Sequence, residues 1–345
     1  MDCRALLPHE LPHAPKLFRD YVEDFKKLKP FYDHAPDLKA ATRLARSLRF
    51  PSERRRQVAA VLRAQNQLYG SGPKTDRNLT LLAEGAVAVV TGQQVGLFGG
   101  PAYSFYKALT AIRAAEELIR GGIPAVPIFW MATEDHDVEE VCSVTWFHEG
   151  ELQTFALSKP AEDTIPVGRI HLGAEIEELV QRAQPFLGET FGNMLHETYI
   201  PAATYGSAFA GLFARIFCDS GLILLDPLDE QLHRAAAPLL CDALVHRDEL
   251  NELLLTRGKV LERAGYEPQV KVTSRSTLLF SLEEGKRRAI SVTNGEFASG
   301  NQSMPRDSWL KRIETAPERF SPNALFRPIV QDYLLPTVAY LGGPA

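Results

Sequence analysis

Two kinds of apolar patterning divide the chain. Up to about residue 80, apolar positions recur at helical spacing on a polar background. Lys16 to Leu28 and Leu38 to Leu48 are predicted helices, with Asp37 capping the second and Pro51 ending it. Pro51 to Leu68 restarts as a helix, and its Ser52-Glu53-Arg54-Arg55-Arg56 run reads as a solvated face rather than an RNA patch. Gly70-Ser71-Gly72-Pro73 closes this region. From Gly85 onward short continuous apolar runs take over. Ala86-Val87-Ala88-Val89-Val90 fits a strand buried on both faces. Thr91 to Gly100 reads as a loop, and Pro101 as the opening of a helix from Ala102 to Arg120. Gly121-Gly122 is the stop, and Ala125 to Met131 is a second strand that Pro127 places at an edge or a start.

Strand, Gly-rich loop, helix and strand in this order form a βαβ unit. Such connections are right-handed, so the expected architecture is α/β, a doubly wound parallel sheet. Leu222 to Leu225 supplies a third buried strand, between helical stretches Tyr205 to Phe217 and Asp229 to Leu255. Thr337 to Leu341 is a last strand, running into Gly342-Gly343-Pro344. The expected division is a helical N-terminal region, 1–80, and an α/β core, 81–345. Insertions near 147–200 and 266–320 would carry small strands of their own, such as Lys271-Val272-Thr273 and Thr277-Leu278-Leu279-Phe280.

Composition narrows the class. The chain has 345 residues, 45% of them apolar and 23% charged, as in an ordinary globular protein. Its formal net charge of -5 lacks the basic footprint of a general nucleic-acid binder, though a small anionic substrate remains compatible. No apolar run reaches the roughly 20 residues a membrane span needs. Met1 to Leu17, with Asp2, Pro8, Glu10, Pro12 and Pro15, has no signal-peptide core. Cys3, Cys142, Cys218 and Cys241 form no C-x-x-C pair, which fits a reduced, cytoplasmic protein.

Candidate chemistry gathers at strand ends. His9-Glu10-Leu11-Pro12-His13 matches H-E-x-x-H, but Pro12 breaks the continuous helix that a zinc site requires. Thr91 to Gly100 holds Gly92, Gln93, Gln94, Gly96, Gly99 and Gly100 between a buried strand and a helix N-terminus. Free N–H groups and the helix dipole would favour an anion there; the alternative is a tight structural turn. The pattern is neither a dinucleotide fingerprint nor a P-loop. Glu134-Asp135-His136-Asp137 follows the second strand. It could supply a general base, orient an amine or hold a divalent metal; otherwise it is a hydrated loop. His136 is the acid/base candidate on its ordinary pKa. Asp226 and Asp229 follow the third strand and read as a turn and a helix cap. The remaining histidines are isolated and read as surface or satisfied core residues.

Two strings carry a resemblance. Val89-Val90-Thr91-Gly92-Gln93-Gln94 through Gly99-Gly100-Pro101, Tyr106-Lys107-Ala108, Phe129-Trp130 and Glu134 to Asp137 form the first. Arg327-Pro328-Ile329-Val330-Gln331-Asp332 with Leu335-Pro336-Thr337 to Pro344 forms the second. Together they resemble the cysteine-adding enzymes of bacillithiol biosynthesis, the cysteine ligases, over nearly the whole chain. The resemblance implies a Rossmann-like core. It also implies a C-terminal coiled coil that forms homodimers in full-length members; that coiled coil is expected to be absent from this chain. It implies amide formation between the carboxyl of cysteine and the amine of glucosaminyl-malate, driven by ATP and Mg²⁺. The Thr91–Gly100 loop would then hold an anionic or sugar group. His136 or Asp137 would orient or deprotonate the amine, and Tyr340, Gly342 and Gly343 would line the opposite wall. Partners would be small molecules, with no nucleic acid and no membrane. A catalytically silent sugar- or nucleotide-binding module and a metal-dependent hydrolase built on Glu134 to Asp137 are the alternatives.

Overall fold

The computed structural model describes residues 7–159, 165–293 and 295–343. Cys3 and Pro344 lie outside the described residues. The polar N-terminal region forms α1 (Lys16–Glu23), α2 (Leu38–Ser47), α3 (Ser52–Leu68) and α4 (Pro73–Glu84). The helix expected over Lys16 to Leu28 breaks at Asp24, beyond which a 3₁₀ turn carries Leu28 into the core. Asp37 caps α2 through the N–H of Ala40. Pro73, read from sequence as part of a closing loop, instead opens α4, where its missing N–H costs nothing.

The core continues as β1 (Val87–Gln93), α5 (Ala102–Arg120) and β2 (Ala125–Met131). A hairpin, β3 (Ser143–His148) and β4 (Glu151–Ala156), precedes α6 (Glu175–Ala183), α7 (Glu189–Thr198) and α8 (Tyr205–Ile216). Then come β5 (Ile223–Leu225), α9 (Glu230–Val245) and α10 (Arg247–Arg263). A second sheet follows, with β6 (Ser276–Glu283), β7 (Lys286–Thr293), β8 (Glu296–Ser299), β9 (Gln302–Met304), α11 (Arg306–Thr315) and β10 (Phe320–Pro322). The described chain ends in α12 (Arg327–Leu334) and β11 (Thr337–Leu341). The main sheet runs β11-β1-β2-β5, all parallel, and the inserted sheet runs β10-β6-β7-β8-β9, all antiparallel.

Alternating side chains explain why both faces of the main sheet are covered. Ala88, Val90, Val126, Ile128, Trp130, Ile223 and Leu225 pack under α3, α4 and α9. Val87, Val89, Ala125 and Val338 face α2 and α5, while Phe129, Met131 and Leu224 face α8. The fold is therefore α/β and doubly wound, with a Rossmann-like parallel sheet. Among the described residues no helix is long and apolar enough to cross a membrane.

Three local readings change. The glycine loop starts later than its composition suggests, because Gly92 and Gln93 still pair in register with Trp130 and Met131. A Cβ on Gly92 would lie 2.6 Å from the Trp130 carbonyl oxygen, so glycine here serves close strand approach. Pro127 lies inside a central strand, yet the ladder to β5 begins only at Ile128, which leaves its outer side unpaired. Lys271-Val272-Thr273 forms no strand, since the Thr273 and Ser274 carbonyls are taken by the side chains of Asn251 and Arg247.

The open edge of β5 is closed by side chains of α3. Asn66 donates to the Leu224 carbonyl at 2.8 Å and accepts its N–H at 3.0 Å. Gln65 does the same for Asp226, with both bonds at 3.0 Å. Two amide side chains thus stand where a fifth strand would otherwise pair.

Candidate active site

β1 leads through α5 to β2 on one side, and β11 pairs with β1 on the other, so strand order reverses between β1 and β11. Ligands in open α/β sheets bind in that crevice, outside the carboxyl ends of the strands. A cavity of about 1110 Å³ occupies this place. Gly92, Gln93, Gln94 and Gly96 form its wall at β1, Trp130, Ala132, Glu134 and Asp135 at β2, and Tyr340 to Gly343 at β11. The first turns of α5 add Tyr103, Tyr106 and Lys107. The inserted sheet and the start of α12 close the remaining side with Arg287, Pro322, Asn323 and Arg327.

Three cations point into this space. Lys107 donates to Gln93 Oε1 at 2.8 Å, and burial pulls its pKa down. Arg327 lies between the rings of Trp130 and Tyr340, 5.9 and 5.2 Å from their centroids, and donates to Gln331. Arg287 stacks 3.9 Å from the Phe280 ring centre and bonds Ser321 and the Pro322 carbonyl. Burial lowers the Arg287 pKa, and the charges of Glu134 and Asp135 oppose that shift. Neither Lys107 nor Arg327 has a carboxylate within ion-pair distance among the described residues. Cations held by neutral partners and rings leave their charge for a ligand anion.

In the same cavity wall Glu134 is buried, and burial pushes its carboxyl up to about 8. Arg287 and Arg327 oppose that shift, and Asp226 adds to it. His233, on α9, has its Nε2 3.6 Å from Glu134 Oε1. Burial lowers the His233 imidazole to about 4, so both groups are neutral at pH 7 and the contact is not an ion pair. Asp226 is also raised by burial, with Thr133 Oγ1 donating to it at 2.5 Å.

The structure sorts the sequence candidates. Of the four-residue cluster, Glu134 and Asp135 line the cavity and His136 and Asp137 do not. His136 stands beside Arg287, Nδ1 to guanidinium nitrogen 3.4 Å, and 3.7 Å from Asp135 Oδ1. Asp137 is exposed and accepts the Glu139 N–H. Of the glycine loop, Gly92, Gln93, Gln94 and Gly96 reach the cavity, whereas Gly99 and Gly100 turn into the protein. The Gly99 N–H is taken by the buried Tyr199 hydroxyl at 3.0 Å, so it is not free for an anion. Tyr340, Gly342 and Gly343 line the cavity at the end of β11. Asp229 caps α9 as read. The H-E-x-x-H string is a 3₁₀ turn, and His9 bonds Glu23 at 2.7 Å.

Arg287 and His233 had no local signal in the sequence. Lys107 did: it is a cation on the second turn of a helix opening at a strand end. Among the described residues no three His, Cys, Asp or Glu side chains come together as a metal site.

A family profile described as "Bacillithiol biosynthesis BshC, N-terminal Rossmann-like domain" matches residues 1–345. Three relatives named "Putative cysteine ligase BshC" are similar over nearly the whole chain. The protein of Koribacter versatilis is 42% identical, with 100% of this chain and 65% of the relative covered. That of Solibacter usitatus is 37% identical, covering 100% and 64%. That of Salinibacter ruber is 33% identical, covering 98% and 63%. The chain thus spans a little under two thirds of the length of these relatives.

Proposed function

Since the chain belongs to the bacillithiol-biosynthesis BshC family, we propose that its strand-end crevice is where the carboxyl of cysteine is joined to the amine of glucosaminyl-malate. The observation that carries this reading is the presence of Lys107, Arg287 and Arg327 in the wall of one cavity together with a buried carboxyl whose pKa is pushed up to about 8. The malate carboxylates lie against the cations, Arg327 offering a planar fork that suits a carboxylate. The amine then faces Glu134 and Asp135. Amide formation releases one proton from the attacking nitrogen, and the carboxylate form of Glu134 takes it up. A group titrating near 8 can do this at neutral pH, whereas an ordinary carboxylate is too weak a base.

Joining a free carboxylate to an amine is uphill in water, so activation is required. ATP when bound would activate the cysteine carboxyl as its phosphate or adenylate, and phosphate or AMP would leave as the bond from carbon to the amine nitrogen forms. Among the described residues no three His, Cys, Asp or Glu side chains meet as a dedicated metal cage. Magnesium in this reading arrives with the nucleotide. A cytoplasmic location and small-molecule partners belong to the same reading.

Isothermal titration of the chain with glucosaminyl-malate, cysteine and ATP in turn, then mass spectrometry of the mixture, tests the reading. Binding of the sugar-malate and an amide product are expected. Binding without turnover would favour a silent binding module. Absence of sugar-malate binding would end the proposal.

A further inference from the structure

We propose that His233 is the positioning residue of Glu134: its neutral Nε2 is the hydrogen-bond acceptor for the O–H of the Glu134 carboxyl and thereby fixes which carboxyl oxygen faces the cavity. The inference rests on the reading of Glu134 as the proton-handling group.

The geometry comes from both sides of the pair. His233 is 6% exposed, and its Nε2 is buried with no hydrogen-bond partner among the described residues. The Phe320 backbone hydrogen-bonds the ring, and with Nε2 unpartnered among the described residues the tautomer that serves this bond carries its hydrogen on Nδ1. Nε2 is then a lone pair directed into the protein. A buried acceptor left unpaired is costly, which makes a donor beside it expected. A void of about 20 Å³ lies at this point, walled by Leu232, Ala236, Leu240, Val330 and Leu334. Glu134 is the only other titratable group among the described residues lining it, with Oε1 3.6 Å from Nε2, a contact slightly longer than a hydrogen bond that a small turn of the carboxyl would close. The void and the main cavity share Trp130, Glu134 and Pro322 as a common wall. One face of the carboxyl therefore meets His233 and the other meets substrate.

The surrounding charges decide which partner keeps the proton. Arg287 on β7, Arg327 on α12, Arg169 and Asp226 act on Glu134. Arg169, Asp229 and Glu318 act on His233. Burial and Arg169 disfavour an imidazolium, so the proton stays on Glu134 and His233 does not carry it away. In the neutral form, O–H points to Nε2 and the bare carbonyl oxygen faces the cavity, ready to accept an amine N–H. The role differs from general acid/base work, because His233 orients the carboxyl and never touches substrate.

Two spectroscopic titrations of the unliganded chain test the pair. In nitrogen-15 NMR, His233 is expected to be the neutral Nδ1–H tautomer from pH 6 to 9. Its Nε2 resonance should shift with a midpoint near 8 as Glu134 ionises. Glu134→Gln should abolish that shift. An Nε2–H tautomer, or an Nε2 resonance indifferent to pH, would overturn the proposal. In infrared difference spectra, the Glu134 carboxyl midpoint should fall by about one pH unit in His233→Leu, the loss of one hydrogen bond to the neutral form. It should return in His233→Gln, which keeps an acceptor. An unmoved midpoint in folded His233→Leu would also overturn it. Neither spectrum needs substrate, so a failure of the ligase reading would leave the pair measurable and distinct.

Discussion

Lys107 Nζ lies 2.8 Å from Gln93 Oε1, so a cation on the second turn of α5 is held over the carboxyl end of β1 by an uncharged partner. The bond joins the two segments that a reading of the glycine loop brings together, but through side chains rather than the backbone N–H groups of the loop.

Lys107→Met keeps the length of the side chain and removes the charge. Loss of a charge-assisted contact, worth about 1.5–3 kcal/mol, should weaken glucosaminyl-malate binding by roughly 10- to 100-fold. Thermal stability should change by less than about 1 kcal/mol, because the partner lost is neutral and the position is half-buried. Calorimetric titration checks this, and equal affinity would remove Lys107 from the site.

Gly99 and Gly342 should behave oppositely. A Cβ at Gly99 would lie 2.5 Å from Phe105 Cζ, at φ +91°, beside a hydroxyl that binds its N–H. Gly99→Val should destabilise the fold by about 3 kcal/mol or more, through strain and overpacking. The damage should reach α5, which carries Phe105. Gly342 is exposed, and among the described residues a Cβ there would meet only the Tyr340 ring, at 3.7 Å. Gly342→Ala should melt like the parent and alter ligand affinity alone. Thermal melts of the two variants, side by side, decide whether the two glycine motifs serve different ends.

Asn66 offers a test of the sheet edge. Its amide exchanges two hydrogen bonds with Leu224 in a fully buried setting. Asn66→Leu leaves a strand N–H and a carbonyl unpaired away from water, which should cost about 2–4 kcal/mol. Denaturant unfolding measures it. A cost below about 0.5 kcal/mol would show that β5 needs no such closure.

The four parallel strands were legible because each is a continuous apolar run, and the cavity was legible because it lies at their carboxyl ends. Which members of a cluster face that cavity was not. His136 looked like the acid/base candidate because an isolated imidazole titrates near neutrality, but the structure sets it beside Arg287, outside the cavity wall. Burial brings the adjacent Glu134 to that range instead, and burial is a tertiary property. Arg287 arrives from an inserted sheet, within a Lys286-Arg287-Arg288 run that looks like any solvated strand. His233 was one of several isolated histidines and became distinctive only when its Nε2 was seen without a partner. Gly99 misled for a related reason: a loop N–H is free in sequence terms, and only the fold shows Tyr199 taking it.

The Glu134–His233 pair should write itself into the pH dependence of stability. Glu134 is raised from 4.5 to about 8 on folding. Between those values the unfolded chain has lost a proton that the folded chain keeps, so stability falls as pH rises. His233 is lowered from 6.5 to about 4. Between those values the unfolded chain gains a proton that the folded chain refuses, so stability falls as pH falls. From 4.5 to 6.5 the two slopes oppose and nearly cancel. From 6.5 to 8 the Glu134 slope acts without that compensation, at up to about 1.4 kcal/mol per pH unit. Asp226, raised by burial, acts in the same direction as Glu134, so the comparison must be made against a variant and not against a flat baseline. Glu134→Gln keeps the shape and cannot ionise. Its stability relative to the parent should therefore climb by about 2 kcal/mol between pH 6.5 and 8, with no comparable climb below 4.5. Urea unfolding of both proteins at half-unit pH steps measures the difference directly. A constant difference across that window would mean that Glu134 is already ionised in the folded chain, and the proton-handling role would have to pass to Asp135.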